Sequence, residues 1–303
     1  MKERSMKYRR GRPLSVPAVQ GEQSMKNMNE SIIRTLLPTR LRDTHKGDYG
    51  KILLLCGSRG FTGAAALAAR GALRTGAGLV YLAVPESIYA LEAVKLTEPV
   101  VLPLADENGM LCAASIPEIA RLLPKMDAVL FGSGSGLGSG TEEVLLFLLK
   151  NAGCPLILDA DGITLAAKHK DILRDRTTTT ILTPHDGEFA RLAPPDLPRC
   201  EQTMALAREL GVILLRKGSR TLITDGTDCW ENHTGNPGMA TGGSGDVLSG
   251  VILSLLGQGL PPLEATAAAA WLHGAAGDRA AEKWGEYGML PGDLVEELPQ
   301  LLK

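Results

Sequence analysis

No apolar run in this chain approaches the roughly 18 residues that a membrane span needs, so contact with a bilayer core is not expected. Basic residues show no surplus that would suit nucleic acid, and there is no acidic tail. The five cysteines, Cys56, Cys112, Cys154, Cys200 and Cys229, are scattered, odd in number and never spaced as Cys-x-x-Cys. They suit reduced core thiols of a cytoplasmic protein better than disulfides or a zinc site. His45, His169, His233 and His273 stand apart, and no His/Cys grouping has transition-metal spacing, so no metal ligand is assigned. Two nucleotide motifs are also missing. None of Gly57–Gly63, Gly132–Gly138 and Gly243–Leu248 meets the Gly-x-Gly-x-x-Gly spacing, and no Gly-x-x-x-x-Gly-Lys-Ser/Thr loop exists. Rossmann dehydrogenases and Walker-type NTPases are therefore disfavoured.

What is present is ordinary for a soluble globular protein: 303 residues, 44% hydrophobic, formal charge −2. Length alone allows one large α/β domain or two small ones. Residues 1–28 are polar, begin with Lys2, Arg4, Lys7, Arg9, Arg10 and Arg12, and carry Pro13 and Pro17. No apolar stretch follows the basic residues, so a secretory signal is not expected and a disordered leader is expected over 1–28. No repeat and no linker interrupts the rest, and 29–303 reads as one domain.

From residue 50 short apolar runs alternate with helical stretches. Lys51–Cys56, Leu79–Val84, Asp127–Phe131, Pro155–Asp159, Thr180–Thr183 and Val212–Arg216 read as buried strands. Helices are expected over Ala64–Thr75, Ser87–Lys95, Thr141–Asn151, Gly162–Lys168, from Glu188, over Thr203–Leu210, Gly245–Leu256 and Leu263–Lys283. Arg220–Asp225 and Thr227–Glu231 flank Gly226 as a hairpin near the sheet edge. This alternation predicts an α/β fold, a mostly parallel central sheet with helices on both faces. Ligands of such sheets bind beyond the carboxyl ends of the strands. The distinctive turns all fall there: Gly57–Gly63, Gly132–Gly140, Asp159–Gly162, Thr183–Glu188, Lys217–Thr221 and Gly242–Asp246.

The most informative stretch is Asn236–Gly250, where small residues precede one acid and run into an apolar helix. A glycine-rich turn feeding a helix start presents free N–H groups and the positive end of the helix dipole, a setting for an anion. Gly242, Gly243, Ser244 and Gly245 would form that anion hole. An acid there repels phosphate unless it has its own task, so Asp246 reads as a general base beside an oxyanion cradle. A mere N-cap would need no such glycine density. The remaining turns leave alternatives. Gly57–Gly63 is either a ligand contact or tight packing. Asp159 and Asp161 are either a metal pair or caps. Lys217 can neutralise phosphate and Thr221 can bond an adenosine group, or Lys217–Thr221 is a hairpin turn with a solvated lysine. His185, in a proline turn on the rim, favours substrate contact.

The string Asn-x-Gly-Met-Ala-Thr-x-Gly-Ser-Gly-Asp-Val-Leu resembles the ADP/ATP-dependent NAD(P)H-hydrate dehydratases of the ribokinase-like superfamily. So do Pro38-x-Arg40-x-x-Asp43-x-His45 through Lys51, Gly57-Ser58, Thr62–Ala65, Arg74-x-Gly76 through Val80, and Thr183-Pro184-His185-x-Gly187-Glu188. The resemblance covers about residues 30–303 and implies a three-layer sandwich. It implies ADP-dependent dehydration of the S-form of NADHX and NADPHX to NADH and NADPH, with AMP and phosphate released. By resemblance Asp246, Ala64, Gly136 and His185 contact the hydrate. Ser135 stands where the family usually has proline. Lys217, Gly218, Ser219, Arg220, Thr221 and Gly245 would hold ADP, and Mg²⁺ is expected with it. A homo-oligomer is expected, as is a separate epimerase, for which the short N-terminal region leaves no room. The alternatives are a ribokinase-like kinase of a vitamin precursor alcohol, which would lack the His45–Lys51 string, or a non-catalytic nucleotide binder, which would gain nothing from Asp246.

Overall fold

The structure, a computed structural model, describes residues 25–37, 39–193 and 197–303. In chain order its elements are β1 (Lys26–Asn27), α1 (Glu30–Leu36), β2 (Lys51–Leu55), α2 (Thr62–Arg74), β3 (Leu79–Pro85), α3 (Glu86–Lys95) and β4 (Val100–Leu104). There follow β5 (Asp106–Glu107), β6 (Met110–Leu111), α4 (Ile116–Leu122), β7 (Ala128–Phe131), α5 (Ser139–Asn151), β8 (Leu156–Leu158), α6 (Asp161–Ala166) and α7 (Lys170–Asp175). Then come β9 (Thr180–Leu182), α8 (Asp186–Leu192), α9 (Arg199–Leu210), β10 (Ile213–Arg216), β11 (Thr221–Thr224) and β12 (Cys229–Asn232). The chain closes with α10 (Ser244–Gly257), α11 (Pro262–Gly288) and α12 (Pro291–Leu301).

Ten strands form one sheet in the order β1-β12-β11-β10-β9-β8-β7-β2-β3-β4. All neighbours pair in parallel except β10–β11 and β11–β12, so the expected hairpin is there, one strand in from the β1 edge. Strand periodicity sends alternate side chains to opposite faces. Ile52, Leu54 and Cys56 join Leu130, Ile157 and Ile181 in a core under α2, α10, α11 and α12. Leu53, Leu55, Val129, Phe131 and Leu158 build the second core, under helices of the α4–α9 set. Both faces are covered, which is why these strands read as unbroken apolar runs.

Helices α2 and α10 meet backbone to backbone. A Cβ on Gly250 would lie 2.0 Å from the Ala68 carbonyl oxygen, and one on Gly71 would lie 2.7 Å from that of Val247.

Three features depart from expectation. Of the expected leader, residues 1–24 lie outside the described residues. Residues 25–28 are part of the fold: Lys26 and Asn27 pair with Trp230 and Glu231, and Met28 is buried in the first core. The packed chain therefore starts ahead of the boundary at 29, because two ladder residues and one apolar anchor suffice to dock a polar segment. Strand β4 is an edge strand carrying Pro103, a residue that masks strand character in sequence. The short helices α4 and α7 and the amphipathic α12 are additional.

Candidate active site

The six turns do converge beyond the carboxyl ends of the strands, and hydrogen bonds stitch them together. Gly57 N–H donates to the Ser133 carbonyl at 2.8 Å and Ser58 Oγ to the Gly134 carbonyl at 2.7 Å. Gly136 N–H donates to Asp161 Oδ2 at 2.8 Å, and Lys217 N–H to the Pro184 carbonyl at 2.8 Å. At their centre is Asp159, buried, which accepts from Thr183 Oγ1 at 2.7 Å, Lys217 Nζ at 2.9 Å and Ser133 Oγ at 3.1 Å. Burial opposes its ionisation, but the Lys217 charge and the bonds from Lys217 and Thr183 outweigh burial and hold its pKa below the usual carboxylate range. Lys217 is likewise desolvated, yet Asp159, Glu188 and Asp246 keep it protonated. Between Asp159 and Asp161, Ala160 has φ of +48°, a left-handed conformation that costs a non-glycine residue about 1–3 kcal/mol and is held here by its surroundings. Opposite it only a glycine fits, since a Cβ on Gly132 would lie 2.2 Å from the Asp159 carbonyl oxygen.

Asp246 stands in the first turn of α10, within the electrostatic influence of Asp159, Lys217 and Asp161. Burial and the charge of Asp159 push its pKa up to about 7, against the influence of Ser133 and Lys217. Two carboxylates are thereby driven apart, one permanently ionised and one titrating near neutrality. That is how a protein assigns one acid to electrostatics and another to proton transfer. The helix start beside Asp246 has a cation over it: a Cβ on Gly245 would lie 3.3 Å from Lys217 Nζ. Gly242 is open, with nothing within 4 Å of a built Cβ, whereas Gly243 turns inward onto Leu67 and Pro291.

A cavity of about 820 Å³ opens from this turn. Lys217, Gly218, Ser219 and Thr221 line one wall; Gly242, Ser244 and Gly245 its end; Met239, Leu248 and Ala270 an apolar floor; His185 lies at its margin. Arg220 does not share it. Its side chain lies in a separate 450 Å³ cavity with Arg199, Cys200 and Glu231, across the turn. Ala64 and Gly136 do not line this cavity. Ala64 is half-buried in the first turn of α2, and a Cβ on Gly134 would touch it at 2.9 Å. Gly136 has already committed its N–H to Asp161, and a Cβ there would strike Met110 of the β5–β6 hairpin at 2.4 Å.

His185 has a definite local task. Its Nδ1 accepts from the N–H groups of Gly187 and Glu188 at 3.0 and 3.2 Å, while Glu188 returns a bond to His185 N–H, which caps α8. The ring remains exposed at the cavity margin, so the cap and a ligand contact are compatible. Sequence reasoning passes over two groups on α11. His273 is buried and bonds Ser244, and Asp278 accepts from Gly235 N–H at 2.9 Å and Asn236 Nδ2 at 3.1 Å. The available signal is a histidine inside an alanine-rich buried run, followed by Gly274, Gly277 and Asp278. Among the described residues no three His, Cys, Asp or Glu side chains are set to hold a metal, and no helix is long and apolar enough to cross a membrane.

Comparison with known proteins points one way. Residues 52–300 match the family model described as NAD(P)H-hydrate dehydratase. The bifunctional NAD(P)H-hydrate repair enzyme of Moorella thermoacetica is 42% identical over 278 residues, covering 89% of this chain and 52% of that protein. The chain thus spans about half the length of such bifunctional relatives. The ADP-dependent (S)-NAD(P)H-hydrate dehydratase of Listeria monocytogenes is 34% identical over 284 residues, covering 92% of this chain and 97% of its own. Among solved structures, the Bacillus subtilis ADP/ATP-dependent NAD(P)H-hydrate dehydratase co-crystallised with ATP/Mg²⁺ superposes with a TM-score of 0.78 at 30% identity, covering 92% of this chain and 98% of the other.

Proposed function

The chain belongs to the NAD(P)H-hydrate dehydratase family, and from that premise we propose that it repairs hydrated nicotinamide cofactors, converting S-form NADHX and NADPHX to NADH and NADPH at the expense of ADP. The carrying observation is Asp246, a carboxylate with its pKa at about 7, set in the first turn of a glycine-rich helix start that Lys217 overlies. The hydrate would lie toward Ala64, Gly136 and His185. ADP would occupy the 820 Å³ cavity along Lys217–Thr221, its phosphates at Gly242–Gly245. Arg220 would act from the outer side of that turn.

Asp246 takes the proton of the ring hydroxyl as its oxygen attacks the terminal phosphorus of ADP and the bond to AMP breaks. The N–H groups at the start of α10 and the Lys217 ammonium meet the charge that develops on the phosphoryl oxygens. The phosphate then departs with the C–O electrons, a neighbouring ring carbon gives up its proton, and the double bond returns. Asp159 keeps Lys217 in place and charged throughout. Mg²⁺ takes most of its ligands from phosphates and water and needs only one or two carboxylates, so the donor set fits an ion carried in by the nucleotide, which Asp161 would help to hold. When bound, it neutralises phosphate charge.

A cytoplasmic homo-oligomer working beside a separate epimerase, with 29–303 as one domain extended by residues 25–28, completes the proposal. The test is absorbance at the reduced-nicotinamide band, which hydration abolishes. Hydrated NADH supplied with ADP should regain the band as AMP accumulates, faster than with ATP and not at all without a donor. Nucleotide consumption on a vitamin alcohol, with no recovery from the hydrate under any donor, would overturn the assignment in favour of a kinase.

A further inference from the structure

His273 has no part in the chemistry just described, yet it is buried against Ser244 of the glycine-rich turn and lines the 820 Å³ cavity. Its Nε2 lies 2.9 Å from the Ser244 carbonyl oxygen and 3.2 Å from Ser244 Oγ. A carbonyl only accepts, so Nε2 carries the hydrogen and the ring is the Nε2–H tautomer. Burial presses its pKa down to about 4, so the ring stays neutral at working pH. The Ser244–Gly245 peptide is planar and trans, which makes the Ser244 carbonyl and the Gly245 N–H antiparallel. Holding one fixes the direction of the other. Glycines on both sides of Ser244 leave the backbone few steric limits of its own, so an external anchor has work to do there. The same helix grips the lead-in segment five residues further on, where Asp278 accepts from Gly235 N–H and the Asn236 amide. Asn236 in turn accepts from Gly238 N–H at 3.0 Å.

We propose that α11 is a clamp on the nucleotide side of the site, with His273 the positioning residue for the phosphate-facing N–H of Gly245 and Asp278 the positioning residue for the 235–238 wall. Neither is a reacting group; each acts through the backbone it holds. The proposal rests on the functional assignment only for the identity of the nucleotide, because the anion turn can be probed with inorganic phosphate.

The experiment titrates inorganic phosphate into the full chain and follows the Gly245 and Asp246 amides by nuclear magnetic resonance, for wild type, His273→Leu, His273→Gln and Asp278→Ala. It then measures KM for ADP and kcat. Wild-type amides should shift saturably. His273→Leu should weaken phosphate at least ten-fold, and His273→Gln, which keeps an N–H donor, should recover to within three-fold of wild type. Asp278→Ala should raise KM for ADP five- to ten-fold with kcat at saturation within three-fold, and it serves as the test if His273→Leu does not fold. Melting temperatures identify variants that have merely lost stability. Unchanged phosphate and ADP affinities, a glutamine variant as weak as the leucine one, or no wild-type shift at these amides overturns the clamp. If phosphate binds as expected but the hydrate is never converted, the dehydratase assignment falls and the clamp stands.

Discussion

At pH 8 Asp246 is ionised in both the folded and the unfolded chain, but folding has moved its pKa from 3.8 up to about 7. A raised acid works against the native state wherever it is ionised. Its contribution is intact below pH 3.8, declines as pH rises to about 7, and stays lost above that. Three pKa units correspond to about 4 kcal/mol, and partial solvent access to this half-buried group reduces that to about 2 kcal/mol. Asp246→Asn abolishes the penalty because the amide never ionises. We expect the variant to melt about 4–8 °C above wild type at pH 8, at the usual 2–4 °C per kcal/mol for chains of this size. At pH 4, where both side chains are neutral, the gap should nearly close. Turnover should fall by about 10²–10⁴-fold, the range for a lost general base. Paired scanning calorimetry at the two pH values, alongside the absorbance assay, measures both effects. Equal melting differences at pH 4 and pH 8, or a variant less stable at pH 8, would refute the electrostatic account, and undiminished turnover would remove Asp246 from the mechanism.

Other expectations follow from neighbouring groups. The pH profile of kcat/KM should rise with pH through a midpoint near 7, and Asp159→Asn should move that midpoint down, since the anion that raises Asp246 is gone and Lys217 is released toward it; a stationary midpoint would show that Asp159 is not coupled to the base. Lys217→Ala should weaken ADP more than the hydrate, measured as separate affinities, because the ammonium overlies Gly245; equal losses would make Lys217 a general support of the rim. A chain beginning at Asn29 should melt several degrees below one beginning at Met25, because it loses the Lys26–Asn27 pairing and buried Met28; identical melting would show that this strand adds nothing.

The layered fold was legible because the central strands are buried on both faces and so announce themselves as apolar runs. The helix start at Asp246 was legible too, since this acid follows four small residues and precedes an apolar helix. Other parts of the site depend on distance. Lys217 and Asp159 are 58 positions apart, and their union at 2.9 Å is a property of strand order that no local pattern carries. That contact settles Asp159 as the partner of the lysine, where the sequence leaves a metal pair or a cap open. Gly218 and Ser219 border both cavities, whereas Arg220 lines only the smaller one, a division that the sequence does not show. His273 hides for the opposite reason: an isolated histidine in an alanine-rich helix looks like filler until Ser244 is placed above it.

The contact of Gly71 and Gly250 with bare backbone bears on how the reaction is spaced. Helix α2 presents Ala64 at its start and α10 presents Asp246 at its own, so the interval between the proposed hydrate contact and the proposed base is set largely by main chain pressed on main chain at Gly71 and Gly250. Such a joint behaves as a fixed gauge. On the proposed mechanism, adjustment to different nucleotides would come from the 235–242 wall, while the spacing of the two helix starts stays constant. A single methyl group at position 250 would lengthen that span without altering one residue that touches either ligand.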